Sequence, residues 1–449
     1  MKSSDLTLPK RTDFIILFLF LTIGCQTEKP LTDPDFATKW AEMTLFITKN
    51  TPSNTPTYSS RCLGYIGLTM YESIVHGYPP YQSLTGQVDG LDSLPIPEAD
   101  KQYDWKLSLN AAEALILKSI YNQTSDENKL KIDSLETAIL NSQTEKIQNK
   151  ALIDRSIAFG KTVATVIFEW SKTDGGHRGY LKNFDKKMVQ PTRLGSWKPP
   201  LYGQSFSHYP LHPHWGEKRA FLKKNADMKD PSVIPFDTMP NSPYYQQFLA
   251  VYNQEKVLTQ DQKEAAIWWG DDPDETFTPP GHSYYLVTLV IKKAQPSLIQ
   301  CAETYAKVGM GVADAFRNCW KWKYQFFTER PNTYITEHID PQWESFWPDP
   351  PFPAFPSGHA IQAGATATIL AHIYGDKFDF IDDAHKGRKR DGLRDTDFKP
   401  RHYTSFSQVA EETANSRFYG GIHTPQDNQA GLEKGREVGE NINQLNWKK

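Results

Sequence analysis

Long apolar runs are missing from this 449-residue chain. No segment approaches the roughly 20 consecutive apolar residues that a spanning helix needs, and the mean hydropathy is −0.58, which excludes a polytopic membrane protein. An excess of one charge is missing too. The 50 Lys and Arg stand against 53 Asp and Glu, so the chain is no nucleic-acid binder working by bulk electrostatics. Cysteine is scarce, with four residues, and nothing reads as a disulfide framework. Strand-like alternation is sparse, and the sequence carries no repeat and no low-complexity linker. Aromatic mass is what it does carry, with 24 Phe, 21 Tyr and 12 Trp among 39% hydrophobic residues. That is enough to bury a large core and argues against disorder.

At the N-terminus, Lys2, Lys10 and Arg11 precede the apolar run Phe14 to Ile23, which has the length of a signal h-region and not of a span. The stretch Leu21-Thr22-Ile23-Gly24-Cys25 is similar to a bacterial lipobox, with Thr where Leu is usual three residues before the Cys. The expectation is a lipoprotein signal peptide over residues 1–24 and lipidation at Cys25, with ordinary signal cleavage as the alternative. A linker over 25–35 and one large domain over 36–449 would follow, in an exported cell-envelope protein touching the membrane through its lipid anchor only. On one helix Cys301 and Cys319 would lie about 27 Å apart at 1.5 Å per residue, beyond disulfide reach. At most one bridge could form, through Cys62; three buried thiols is the simpler expectation.

From residue 36 onward apolar residues recur at helical spacing. Ile153, Ile157, Gly160, Ala164 and Ile167 mark a helix over 150–172 that Asp174-Gly175-Gly176 stops. Similar patterns predict helices over 36–48, 61–76, 105–121, 126–148, 245–256, 260–269, 283–294, 298–328, 358–373 and 426–445. Proline- and aromatic-rich connectors over 190–215 and 340–356 forbid regular structure but offer Trp and Phe for packing. The charge-dense stretch 376–403 reads as a solvated loop that could also wall one side of a pocket. Gly431, Gly435 and Gly439, spaced four apart, fit close approach of another helix. The His212–His214 pair, in a Pro-rich connector, reads as structural and not as a metal pair. The fold class is therefore all-α.

Three blocks carry chemistry. Lys323 and Arg330 are seven residues apart, nearly two helical turns, so they are expected on one helix face with Pro331 ending that helix. Pro356-Ser357-Gly358-His359 opens a helix, with Ser357 as N-cap and free backbone N–H groups facing any anion in front of them. The third block is Ser416-Arg417 followed after five residues by His423. Behind it, Asp427 reads equally as a capping residue or as a partner orienting His423. Singly, each block reads as well as a solvated face or a plain cap. Together, two arginines, a lysine, a hydroxyl and a helix-start amide suit a tetrahedral oxyanion. Two histidines remain, one to bind a central atom and one to handle protons near neutral pH.

These blocks resemble the vanadium-dependent haloperoxidases and the related type 2 phosphatidic acid phosphatases. Pro279-Pro280-Gly281-His282, Ala302 to Ala306, Cys319 to Tyr324, Arg61 to Glu72, Asp174-Gly175 and Pro213-His214-Trp215 look like the bacterial haloperoxidase branch, with the similarity running from about residue 36 to the end. The resemblance implies helical bundles, two of four helices each, with the vanadate site in the C-terminal half; a monomer is the expectation, although the sequence does not reveal the oligomeric state. It implies that Lys323, Arg330, Ser357, Gly358 through its N–H, and Arg417 bind vanadate oxygens. It makes His423 the axial vanadium ligand and His359 the acid–base residue, with Trp320 and Phe352 lining the halide pocket or simply packing the core. The implied cofactor is vanadate and the implied substrates are hydrogen peroxide and halide, iodide before bromide. A phosphatase using the same cradle, with His423 as nucleophile, is the rival; a non-catalytic envelope lipoprotein is a more distant one.

Overall fold

Capping chemistry sets where the helices of this chain begin. A computed structural model describes residues 31–449 apart from 146, 201–202, 204–207 and 274, so the signal-peptide and Cys25 expectations lie outside the described residues. Residues 32–449 form one compact unit. Thr32 caps α1 (Asp33–Lys49), and Thr55, with Pro56 at the first helical position, starts α2 (Pro56–Glu72) earlier than its apolar pattern alone predicted. Then come α3 (Trp105–Ile120), α4 (Asp126–Thr144) and α5 (Lys150–Ser171), the single turn α6 (Lys223–Ala226), α7 (Pro243–Glu255), α8 (Gln260–Trp268) and α9 (Thr278–Ala294). The C-terminal half holds α10 (Leu298–Phe326), α11 (Pro331–His338), α12 (Gly358–Tyr374), α13 (Phe406–Tyr419) and α14 (Pro425–Asn443).

The architecture is all-α, as expected, with one correction inside it. The stretch 376–403 is not only a loop: β1 (Lys377–Asp382) pairs antiparallel with β2 (Arg401–Ser405), Phe380 opposite Tyr403. Side chains of β1 alternate outward and inward, so Phe380 and Asp382 are buried while Asp379 and Ile381 face solvent. Between the strands the charges pair locally, Arg394 with Asp391 and Arg390 with Asp397.

Close backbone approach organises the packing. Helix α2 lies along α10, and a Cβ on Gly67 would fall 2.5 Å from the Tyr305 carbonyl oxygen. Helix α14 lies along α12, where a Cβ on Gly364 would meet the Leu432 carbonyl at 2.6 Å; Gly435 is at least as tightly placed, which bears out the predicted glycine stripe. Helix α3 pairs with α5, and α12 also packs on α10 and α13. Cys62, Cys301 and Cys319 are free, buried thiols. Among the described residues no helix is long and apolar enough to cross a membrane.

Candidate functional site

Lys323 lies in the last turn of α10 and is completely buried. The helix stops at Phe326 because Phe327 turns left-handed, φ 51°. Arg330 is therefore not two turns along the same helix. It is the N-cap of α11, and Pro331 opens that helix instead of ending the previous one. A proline at the first helical position forfeits no hydrogen bond and arrives with a suitable φ. The corner nevertheless returns Arg330 to Lys323. Lys323 Nζ donates to the carbonyls of Pro353 (2.8 Å) and Ala354 (2.5 Å). Arg330 donates to Phe352 O through Nε (3.1 Å) and Nη2 (3.0 Å), and to Ile422 O through Nη1 (2.9 Å).

Ser357 is the N-cap of α12, its Oγ accepting from the Ala360 N–H at 3.4 Å while its own N–H donates to the Asp427 carbonyl at 3.0 Å. Gly358 and His359 thereby fall in the first helical turn, where backbone donors lack intrahelical partners. Arg417 comes from α13, an element the sequence reading missed. Its signal was present: Ser405 as N-cap, then buried Phe406, Val409, Ala410, Thr413, Ala414 and Arg417 on one helical face. The Arg417 guanidinium donates to Ser416 Oγ (3.2 Å) and to the Ala266 carbonyl. His423, in the turn before α14, sets Nδ1 3.0 Å from Asp427 Oδ2, so its other nitrogen, Nε2, faces Arg330 Nη1 at 3.1 Å. Both readings of Asp427 hold, since the same oxygen also accepts the Thr424 N–H at 3.0 Å.

Burial dominates the electrostatics. It pushes the Lys323 ammonium down to about 7, with Arg330 adding to the effect, and brings the Arg330 and Arg417 guanidiniums down to about 10. His359 and His423 are held well below the usual histidine range, burial first and neighbouring cations second, so both are neutral imidazoles. Nearby carboxyls are pushed the other way by burial, Asp272 and Asp349 to about 7 and Asp427 to about 6. The result is a set of buried cations next to carboxyls that ionise reluctantly.

A cavity of about 390 Å³ opens onto this set, reached by Gly358, His359, Arg417 and His423 and walled by Trp320 and Phe352. Those two rings lie 4.9 Å apart, and the Phe352 ring centre is 5.3 Å from Lys323 Nζ and 5.2 Å from Arg330 Cζ. Lys323, Arg330 and Ser357 sit behind the wall that the cavity touches. His359 Nε2 is buried and has no hydrogen-bond partner among the described residues. A tetrahedral oxyanion fits this donor set: three buried cations, a helix start, and two neutral imidazoles, one with an unpartnered nitrogen.

None of residues 376–403 lines the cavity among the described residues; that wall is made by Asp271, Asp272, Glu275 and a Pro348–Pro351 turn instead. The sequence reading assigned no role to Asp271, Asp272 or Asp349, which stand in loops without a spacing motif. His212 is structural as expected, buried between Thr57 and Asn183 and stacked on Trp215. His214 is half exposed and pairs with Asp185 and Glu217.

Residues 303–447, spanning most of α10 through α14, match the family model of the VCPO second helical-bundle domain. The vanadium chloroperoxidase of Curvularia inaequalis is 21% identical over 384 residues, 73% of this chain and 62% of that protein, so the chain spans less than two thirds of its length. A crystal structure of a bacterial vanadium-dependent iodoperoxidase superposes with a TM-score of 0.80 at 26% identity, covering 93% of this chain and 98% of that one. A holo-type bacterial vanadium-dependent chloroperoxidase superposes at 0.64 with 14% identity, covering 92% of each, a likeness of fold alone.

Proposed function

We propose that this chain, a relative of the vanadium-dependent haloperoxidases, binds vanadate in the cradle and oxidises halide with hydrogen peroxide, iodide before bromide. The observation that carries the reading is a cavity lined by Arg417 and two neutral imidazoles, with buried Lys323 and Arg330 directly behind its Phe352 wall. The three cations, the Ser357 hydroxyl and the Gly358 N–H would hold oxyanion oxygens, each charge-assisted bond worth about 1.5–3 kcal/mol. Asp427 fixes the His423 tautomer, leaving Nε2 as the lone pair for the central atom. Bound vanadate would supply Lewis acidity toward peroxide.

His359 Nε2, neutral and without a partner among the described residues, would accept a proton from incoming hydrogen peroxide and pass it to the oxygen that leaves as water. Trp320 and Phe352 form an apolar wall beside the cations, suited to a large, weakly hydrated halide. Iodide as first choice is supported by the likeness to the iodoperoxidase structure. Export and a lipid anchor at Cys25 complete the reading, supported by the lipobox-like run ending at that residue.

The test is peroxide-dependent oxidation of iodide, bromide and chloride by purified protein, before and after vanadate loading, with phosphate as competitor. Vanadate-dependent, phosphate-suppressed triiodide formation is expected. Absence of halide oxidation beside brisk phosphate-ester hydrolysis would replace the reading with the phosphatase. In His359→Ala, turnover is expected to fall by about 10²–10⁴-fold with vanadate affinity changed far less; equal losses would remove the proton-handling role.

A further inference from the structure

A second convergence of ligating atoms stands behind the cavity wall. Asp271 follows α8 in a left-handed conformation, φ 49°, His282 lies in the first turns of α9, and His385 follows β1. All three are buried, and one ligating atom from each lies within 4.8 Å of the others. Asp271 Oδ2 is 2.7 Å from His282 Nδ1. Asp271 Oδ1 and His385 Nε2 are in contact at 3.0 Å, but the pair is not aligned as a hydrogen bond and neither atom has another hydrogen-bond partner among the described residues. Two fully buried ligating atoms thus meet with bonding capacity left over for a third partner.

The surroundings match what stands behind metal-bound imidazoles. His282 Nε2 lies 2.8 Å from Asp382 Oδ2, and that oxygen also accepts Trp268 Nε1–H at 2.8 Å, while Asp382 Oδ1 accepts the Ala384 N–H at 3.0 Å. A carboxylate held this firmly fixes the tautomer of the ring and leaves Nδ1 to ligate.

The geometry points to a buried divalent-cation site of the zinc class, ligated by Asp271 Oδ1, His282 Nδ1 and His385 Nε2 and backed by Asp382. Two imidazoles and one carboxylate suit Zn²⁺ over Mg²⁺ or Ca²⁺. Binding takes the place of the His282 Nδ1–Asp271 Oδ2 contact at 2.7 Å. The ion ties α9 and the segment after β1 to the Asp271 corner, which is part of the cavity wall. This site shares no residue with the oxyanion cradle, although Asp271 borders the same cavity, and it does not depend on the halide reading.

The probe is Co²⁺ titrated into chelator-treated full-length protein, followed by its visible d–d absorption, with bound metal counted by elemental analysis. One Co²⁺ per chain, displaced by Zn²⁺, is expected, and His385→Gln and Asp271→Asn should abolish the spectrum with helical circular dichroism unchanged. No stoichiometric Co²⁺ in the wild type, or an unchanged spectrum in both variants, would overturn the site. Should either variant fail to fold, Asp382→Asn carries the test. Its Co²⁺ affinity is expected to fall by about 10–100-fold, and an unchanged affinity counts against the proposal.

Discussion

Two buried cation sites in this chain differ in what answers the charge. In the N-terminal half Arg61 donates through Nε to Asp174 Oδ2 at 2.6 Å and through Nη2 to the Ser171 carbonyl at 2.6 Å, and Tyr65 OH donates to the same Asp174 oxygen at 2.9 Å. Despite full burial, Asp174 raises the Arg61 guanidinium above its ordinary range. In the C-terminal half Lys323, Arg330 and Arg417 are equally buried, but all three are lowered, and their bonds go largely to backbone carbonyls. One site is closed by its own counterion. In the other, Asp272, Asp349 and Asp427 stand near the cations, and the bonds of Lys323 and Arg330 go mostly to backbone carbonyls. Burial alone therefore does not mark function; the two sites differ in whether a carboxylate bonds the buried cation directly.

The largest effect expected from breaking this contrast lies in the closed site. Asp174→Asn keeps the shape but leaves Arg61 charged and unanswered in the interior, and should cost about 3–5 kcal/mol of stability, read by urea denaturation with and without vanadate. Arg330→Met should do the converse. It removes one of several mutually repelling cations, so the anion-free protein should lose much less stability than Asp174→Asn does. Vanadate affinity, measured by calorimetric titration, should fall by roughly 10–200-fold, the loss of one charge-assisted contact of about 1.5–3 kcal/mol. A variant that unfolds without altering affinity would mean that Arg330 is a structural cation like Arg61.

The same contrast separates what could be read from the sequence and what could not. Ser357 as a cap, the close-packed Gly435 and the His423–Asp427 pair were legible because each depends on neighbours within a turn or on a regular spacing. The position of Arg330 was misread because the break comes at Phe327, a non-glycine residue in the left-handed region, while the only visible breaker was Pro331. Helix α13 went unseen behind a charged stretch whose hairpin buries just alternate side chains. The Asp271–His282–His385 convergence had no spacing to betray it, since tertiary packing alone brings those loops together.

The smallest effect is a proton. Burial pushes the Lys323 ammonium of the folded chain down to about 7, whereas an unfolded lysine titrates near 10.5. Between those values the unfolded chain binds more protons than the folded one, so Lys323 makes the anion-free protein more stable as pH rises through that window. An oxyanion in the cradle reverses the balance, because its charge restores the ammonium and binding then takes up a proton. Sulfate is the clean probe, being tetrahedral and without a titration of its own near neutrality. Its affinity by calorimetry should be level below about pH 7 and fall by up to about tenfold per pH unit above it, with the proton uptake visible as a dependence on buffer ionisation heat. Lys323→Met should flatten the profile and weaken binding at pH 6. A wild-type profile flat from pH 6 to 9 would mean that Lys323 stays charged without an anion, and the contrast with Arg61 would then rest on the two arginines alone.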